Sequence, residues 1–345
     1  MRDLITRALA ATRASLENTS TGSRKIALAR TLIAGAQLTV LLFTSWQALF
    51  VPTGTGEGGP SCDGIARIGA YCLAPGAGID IPTVIVIACL LLVVSGYVPR
   101  ISGVLHLWAT ISISASISLP DGGEAVAQIV TLLLALILLT DDRTNHWHRT
   151  VRGTSRLLPL GWAAAHVLRF QMVWVYVNAS VSKTAVAEWQ DGTAVYFTTL
   201  DPMFGTAGPL APLFDLVATT PLGALAMAWG AIVVEMLIAV LLIGPRRLRP
   251  FAFWLAVLLH GSFIAMIGLW SFALIMIGAV LAATGPAVGL RDLVPHRKAP
   301  ADAVLPADRD AGSGTPASAA APAPGEGDAG PGVEETTGSE VRQWV

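Results

Sequence analysis

The chain has 345 residues, of which 53% are hydrophobic and only 13% charged, with a net charge of -1 and a mean hydropathy of +0.63. A water-soluble domain carries roughly twice that share of charge, so a soluble globular fold is excluded. The balanced charge leaves no basic surface for nucleic acid, and no cysteine or histidine spacing suits zinc or haem. What composition predicts is an all-α, polytopic integral membrane helical bundle of about eight transmembrane helices, with the lipid bilayer as its first partner.

Residues 1–25 carry Arg2, Arg7, Arg13, Arg24 and Lys25 against Asp3 and Glu17. They lack an apolar core long enough for a cleavable signal and read as a basic, amphipathic cytoplasmic N-terminus. The run from Ile26 to Val51 is a retained anchor. Candidate spans are 27–50, 81–98, 101–118, 124–140, 158–183, 220–243, 250–269 and 271–289, each near the ~20 residues that cross ~30 Å of hydrocarbon. The last two share one apolar run of twice membrane length, so the chain must fold back there, with Trp270-Ser271 as the expected turn. Pro99-Arg100 and 119–123 (Leu-Pro-Asp-Gly-Gly) punctuate the earlier hairpins. The membrane domain is read as 26–290. Residues 291–345, acidic and rich in Ala, Pro and Gly, cannot bury enough apolar surface to offset chain entropy and read as a disordered cytoplasmic tail.

Lysine and arginine are retained on the cytoplasmic side. One set of helix ends holds Arg24, Lys25 and Arg30, then Arg100, then Arg143, Arg149, Arg152 and Arg156, then Arg246, Arg247 and Arg249, then Arg291, Arg297 and Lys298. The other set has Arg67 and, between Lys183 and Arg246, no Lys or Arg at all. Both termini are therefore expected in the cytoplasm. Cys62 and Cys72 then fall in the first external loop, where a disulfide is favoured by compartment; Cys89, inside a span, behaves as a small hydrophobe.

Ionisable side chains within the spans are costly and mark bundle interiors. Arg169, Glu235 and His260 each lie ~12–17 Å from the cytoplasmic end of their helix at 1.5 Å per residue, which predicts an Arg169–Glu235 pair with His260 beside it. A register-fixing ion pair and a working site are both open readings of that cluster; His106 reads as a packed polar residue. On the fifth span Arg169, Tyr176, Ser180 and Lys183 fall within ~60° of one another, with Asn178 on another face. The stripe suits a polar cavity that opens outward at Lys183. That lysine is either a snorkelling cation or a base, since partial desolvation favours the neutral amine that accepts a proton. The segment after it, with Trp189, Asp191, Gly192 and Tyr196, is either an interfacial aromatic belt or a lid over the cavity mouth.

The run from Val167-Leu168-Arg169 through Val175-Tyr176-Val177-Asn178-Ala179-Ser180-Val181-Ser182-Lys183, followed by Trp189 and Gly192, resembles the membrane core of vitamin K-dependent gamma-carboxylases and of the horizontally transferred transmembrane (HTTM) family, as does Gly96-Tyr97-Val98-Pro99-Arg100. The Cys62/Cys72 loop, Asp121-Gly122-Gly123-Glu124 and Trp189-Gln190-Asp191-Gly192-Thr193-Ala194 are similar to the sporulation-delaying protein B family. The first resemblance implies carboxylase-like lyase or oxygenase chemistry, with Lys183 as the base, a membrane quinone of the vitamin K type, and a cavity lined by Arg169 and Tyr176. The carboxylase histidine before this region has no match in Asp121-Gly122-Gly123-Glu124. The second implies maturation of a secreted, toxin-like peptide precursor together with a small partner membrane protein. A non-catalytic exporter or immunity protein is the alternative, because transporters also place charges at mid-membrane.

Overall fold

The computed structural model describes residues 23–51, 59–73, 76, 78–118, 122–148, 156–201, 205–206 and 210–285. The 1–22 and 291–345 segments, the 119–121 turn, Arg149, Arg152 and residues 202–204 lie outside the described residues. Among the described residues the fold is all-helical, with one isolated bridge between Tyr97 and Asn145. Eight of the helices among the described residues have 14 residues or more: α1 (Arg24–Phe43), α2 (Asp80–Ser95), α3 (Pro99–Ser114), α4 (Gly122–Leu138), α5 (Leu158–Thr184), α6 (Pro221–Ile243), α7 (Arg249–Ile267) and α8 (Trp270–Ala283). Each of the eight apolar runs in the sequence coincides with one of them. Three segments are long and apolar enough to cross a membrane, namely α1, α6 and Arg246–Ile267, which contains α7. With these apolar helices the chain is a membrane protein. The helices α2, α3, α4 and α8, with 14 to 17 residues, reach only ~21–26 Å.

The ends differ from the sequence expectation at several helices; α3, for one, stops at Ser114 rather than 118. The first helix stops at Phe43 rather than continuing to residue 50; the Trp46 indole N–H donates to the Leu41 carbonyl at 2.7 Å, and a separate short turn of helix follows at Trp46–Leu49. The α7–α8 turn falls at Gly268-Leu269 rather than Trp270-Ser271. Gly268 takes φ +68°, a left-handed conformation that ends a helix at little cost only for glycine. Helix α8 ends at Ala283 rather than near 289.

Helix α8 is the hub. It packs against α1, α4, α5 and α7, and ten of its fourteen residues are buried, as expected of a helix apolar on every face. Gly278 lets α1 approach closely: a Cβ there would stand 2.8 Å from the Ala29 carbonyl oxygen and 3.0 Å from Ile33 Cγ1. The α1, α4, α5, α6, α7 and α8 side chains form the main core, and α1, α2 and α3 a second one around Val86, Leu90 and Ile113. Every long helix also exposes large apolar side chains, such as Ile81 and Leu91 on α2, Phe170 and Trp174 on α5, and Leu237 and Val240 on α6. Exposure of this kind on so many helices suits lipid rather than water.

Arginine-bearing helix ends gather at one end of the bundle. The Arg24 Nε donates to the Trp147 carbonyl at 3.0 Å, Arg100 pairs with Asp142, and Arg143 grips Asp141 with two bonds of 2.8 and 2.7 Å. The His146 ring packs where a Cβ of Gly96 would lie. Burial first, then the charges of Arg30 and Arg143, press the His146 imidazole down to about 4. At the other end Cys62 and Cys72 are disulfide-bonded, with Cα atoms 5.6 Å apart.

Candidate functional site

A cavity of about 910 Å³ lies among α4, α5, α6, α7 and α8, and is covered by side chains of three short helices, Ala187–Gln190, Thr193–Leu200 and Ala211–Ala218. Its wall is mostly apolar, with Trp174, Phe214, Phe263 and Phe272 among the aromatics, and two polar couples stand in it. The Lys183 Nζ donates to both carboxylate oxygens of Glu235, at 2.8 and 2.9 Å, and stands 5.2 Å from the centre of the Trp189 ring. The lysine side chain is 21% exposed and the glutamate 8%. About two turns deeper along α5, the Tyr176 hydroxyl and His260 Nε2 are 2.8 Å apart. His260 is flanked by Phe263 and Phe272 at ring distances of 5.5 and 5.3 Å, and its buried Nδ1 has no hydrogen-bond partner among the described residues.

Local sequence explains why these groups meet. Tyr176, Ser180 and Lys183 follow one another at helical spacing on the α5 face that packs on α6 and reaches α7 through Tyr176 and His260. Ser180 Oγ donates to the Ile232 carbonyl of α6 at 3.1 Å, three residues before Glu235, and this contact fixes the offset that brings Lys183 level with the glutamate. Asn178, expected on another face, is exposed and still borders the cavity.

Arg169 does not belong to this group. It makes no pair with Glu235; its Nε donates to the Ala283 carbonyl at the end of α8, at 3.1 Å. The helix is the reason. At 27 residues α5 is ~40 Å long, and its first three turns run past the ends of α7 and α8, so depth counted from Leu158 places Arg169 too far into the bundle. The predicted Arg169–Glu235 pair is replaced by Lys183–Glu235.

The motif after Lys183 builds the cover. The Asp191 carboxylate accepts from the Thr193 N–H at 2.9 Å and its hydroxyl at 2.7 Å, and those bonds hold the exposed carboxyl below its usual range. Gly192 has φ +88°, and a Cβ there would come within 2.6 Å of Leu225 Cα. Its absence lets the cover rest on α6. The Trp229 indole donates to the Gln190 carbonyl at 3.1 Å. Tyr196 packs on Phe197 and does not border the cavity.

A second polar seam was not singled out in the sequence. Ser102, His106, Thr110 and Ser114 recur every four residues on α3 and are all buried. Arg30 Nη2 donates to Ser102 Oγ at 2.6 Å, Gln37 to Thr110 at 3.0 Å, and Gln128 of α4 to Ser114. The four-residue polar repeat was the available signal.

No protein-family model matches the chain, and no solved structure matches it. It is 33% identical over 258 residues to the uncharacterized protein YitO of Bacillus subtilis (strain 168), covering 74% of this chain and 82% of that one. Over 263 residues it is 30% identical to the sporulation-delaying protein SdpB of the same organism, covering 74% of this chain and 79% of SdpB. An all-helical, apolar chain that aligns with SdpB over most of both lengths belongs to the SdpB-like family.

Proposed function

We propose that the protein is an integral membrane factor that matures or modifies a secreted, toxin-like peptide, acting with a small partner membrane protein. The observation that carries this reading is the Lys183–Glu235 couple in the wall of a large apolar cavity, in a chain related to a sporulation-delaying protein. In this reading the chain crosses the bilayer about eight times between residues 26 and 290, with residues 1–25 and 291–345 in the cytoplasm. The exposed apolar side chains on all eight helices and the gathering of arginines at one end support it. Helices shorter than the hydrocarbon are accommodated by local thinning.

The resting pair holds Lys183 as an ammonium between two carboxylate oxygens. Moving one proton from Nζ to Oε1 leaves a neutral amine and a neutral acid, which an apolar wall tolerates better than separated ions. The Lys183 amine can then accept a proton at Nζ, the role of base toward a hydroquinone that the resemblance to the gamma-carboxylase core gives Lys183. A quinone of the vitamin K type fits the wall: Trp174, Phe263 and Phe272 suit its ring and tail, and the unpartnered His260 Nδ1 suits a polar ring substituent. Such a cofactor, in its hydroquinone form, would supply electrons to dioxygen and so generate the strong base that the resemblance implies.

Mass spectrometry of a co-expressed precursor tests the proposal. Lys183→Arg is expected to abolish the mass change while the protein inserts at wild-type level. Wild-type conversion by that variant would sink the base role.

A further inference from the structure

The arginine that the cavity leaves out stands beside a second one. Arg169 on α5 and Arg249 at the start of α7 converge on Gly285, the residue after the last turn of α8. A Cβ on Gly285 would overlap Arg169 Nη2 and lie 3.4 Å from Arg249 Nη1, so both guanidinium forks flank the same small space. Among the described residues each spends only its Nε on the protein, Arg169 on the Ala283 carbonyl at 3.1 Å and Arg249 on the Gly244 carbonyl at 3.3 Å. Neither is in an ion pair among the described residues. The charge acting on Arg169 is Arg249, and the charge acting on Arg249 is Arg246. Two half-buried, like-charged forks held together with no carboxylate paired to them among the described residues are an arrangement that an anion completes, and paired guanidinium groups suit a phosphate, which accepts several N–H bonds at once.

The surroundings point to the source of that phosphate. Phe170, next to Arg169, is 70% exposed, and Phe251 and Trp254, two and five residues after Arg249, are 54% and 47% exposed. Apolar, outward-facing side chains therefore continue from the forks along α5 and α7, as acyl chains would from a headgroup. We infer that Arg169 and Arg249 bind the phosphate of one anionic phospholipid at the arginine-rich end of the bundle. This rests on the membrane reading and is independent of any role for Lys183.

The full chain, purified in detergent, is titrated with phosphatidylglycerol or phosphatidylcholine and read by native mass spectrometry. One phosphatidylglycerol per chain is expected, retained at least tenfold better than phosphatidylcholine. Arg169→Gln and Arg249→Gln should each weaken retention about tenfold, and Arg247→Gln, an exposed arginine outside the pair, should not. Without lipid both Gln variants should melt close to wild type, because the loss of one Nε hydrogen bond is offset by removal of a like-charge contact; this separates loss of binding from loss of fold. Arg169→Lys should keep part of the binding, having the charge without the fork. Equal retention of both lipids, equal loss in Arg247→Gln, or full displacement by a few millimolar inorganic phosphate would overturn the proposal, the last by assigning the site to the free anion.

Discussion

The Lys183–Glu235 couple allows a quantitative test by a double-mutant cycle. Lys183→Met leaves a carboxylate that is 8% exposed without its cation. Removing one partner of a buried pair costs about 3–5 kcal/mol, and because the lysine is 21% exposed the lower end, about 3 kcal/mol, is expected. Glu235→Gln leaves an ammonium near water and facing the Trp189 ring at 5.2 Å, which lowers its cost to about 2 kcal/mol. The double variant has no orphaned charge and should lose about 2 kcal/mol less than the sum of the singles. At about 2–4 °C per kcal/mol for a domain of this size, Lys183→Met should melt roughly 6–12 °C below wild type in detergent, followed by tryptophan fluorescence. Strict additivity, or a Lys183→Met shift under about 3 °C, would refute the claim that the two charges depend on one another. Lys183→Arg keeps the charge and should remain near wild-type stability while losing maturation, so fold and chemistry separate within one series.

Other changes have defined outcomes. Breaking the Cys62–Cys72 bond, which closes a separation of 10 residues, with Cys62→Ser should cost about 3 kcal/mol in the chain-entropy account; a reductant should lower the melting temperature of the wild type and leave that variant unchanged. Gly278→Ala should cost about 1–3 kcal/mol in the same melting assay, since the new Cβ meets the Ala29 backbone oxygen and α1 must back away from α8. His146 titrates at about 4 when folded, against 6.5 in an unfolded chain. The unfolded state therefore binds the proton first, and the stability contributed above pH 6.5 is lost as pH falls through about 4. His146→Gln should flatten that part of the melting-temperature profile relative to wild type.

How much of this was legible in the sequence depends on the range of the interaction. The eight apolar runs became eight helices because their composition decides the matter locally. The alignment of Tyr176, Ser180 and Lys183 on one face of α5 is likewise a property of helical spacing within one segment. Pairing between helices is set by their relative offset, which no single segment encodes. Counting depth from each helix start assumed level ends, and the three extra turns of α5 defeated that assumption and put Arg169 beside the wrong partner. The α7–α8 turn failed for a smaller reason: Gly268 was a stronger stop signal than Trp270, and the apolar run hid it. Arg30 was read only as a marker of topology, although four polar residues at four-residue spacing on α3 announced a buried face for it to meet.

The two cations of α5 show what the positive-inside asymmetry is responding to. Arg169 is in no ion pair among the described residues and sits with the other arginines, on the side where, in the orientation proposed above, such charges are retained. Lys183 lies at the opposite end of the same helix, on the outward side in the orientation proposed above, where Lys and Arg are otherwise nearly absent. Its charge is neutralised by Glu235 at 2.8 Å, so the couple presents no net cation to that side. The lysine that looked out of place for topology is thus half of a neutral pair, and the pairing that makes it topologically tolerable also holds the proton its proposed chemistry would move.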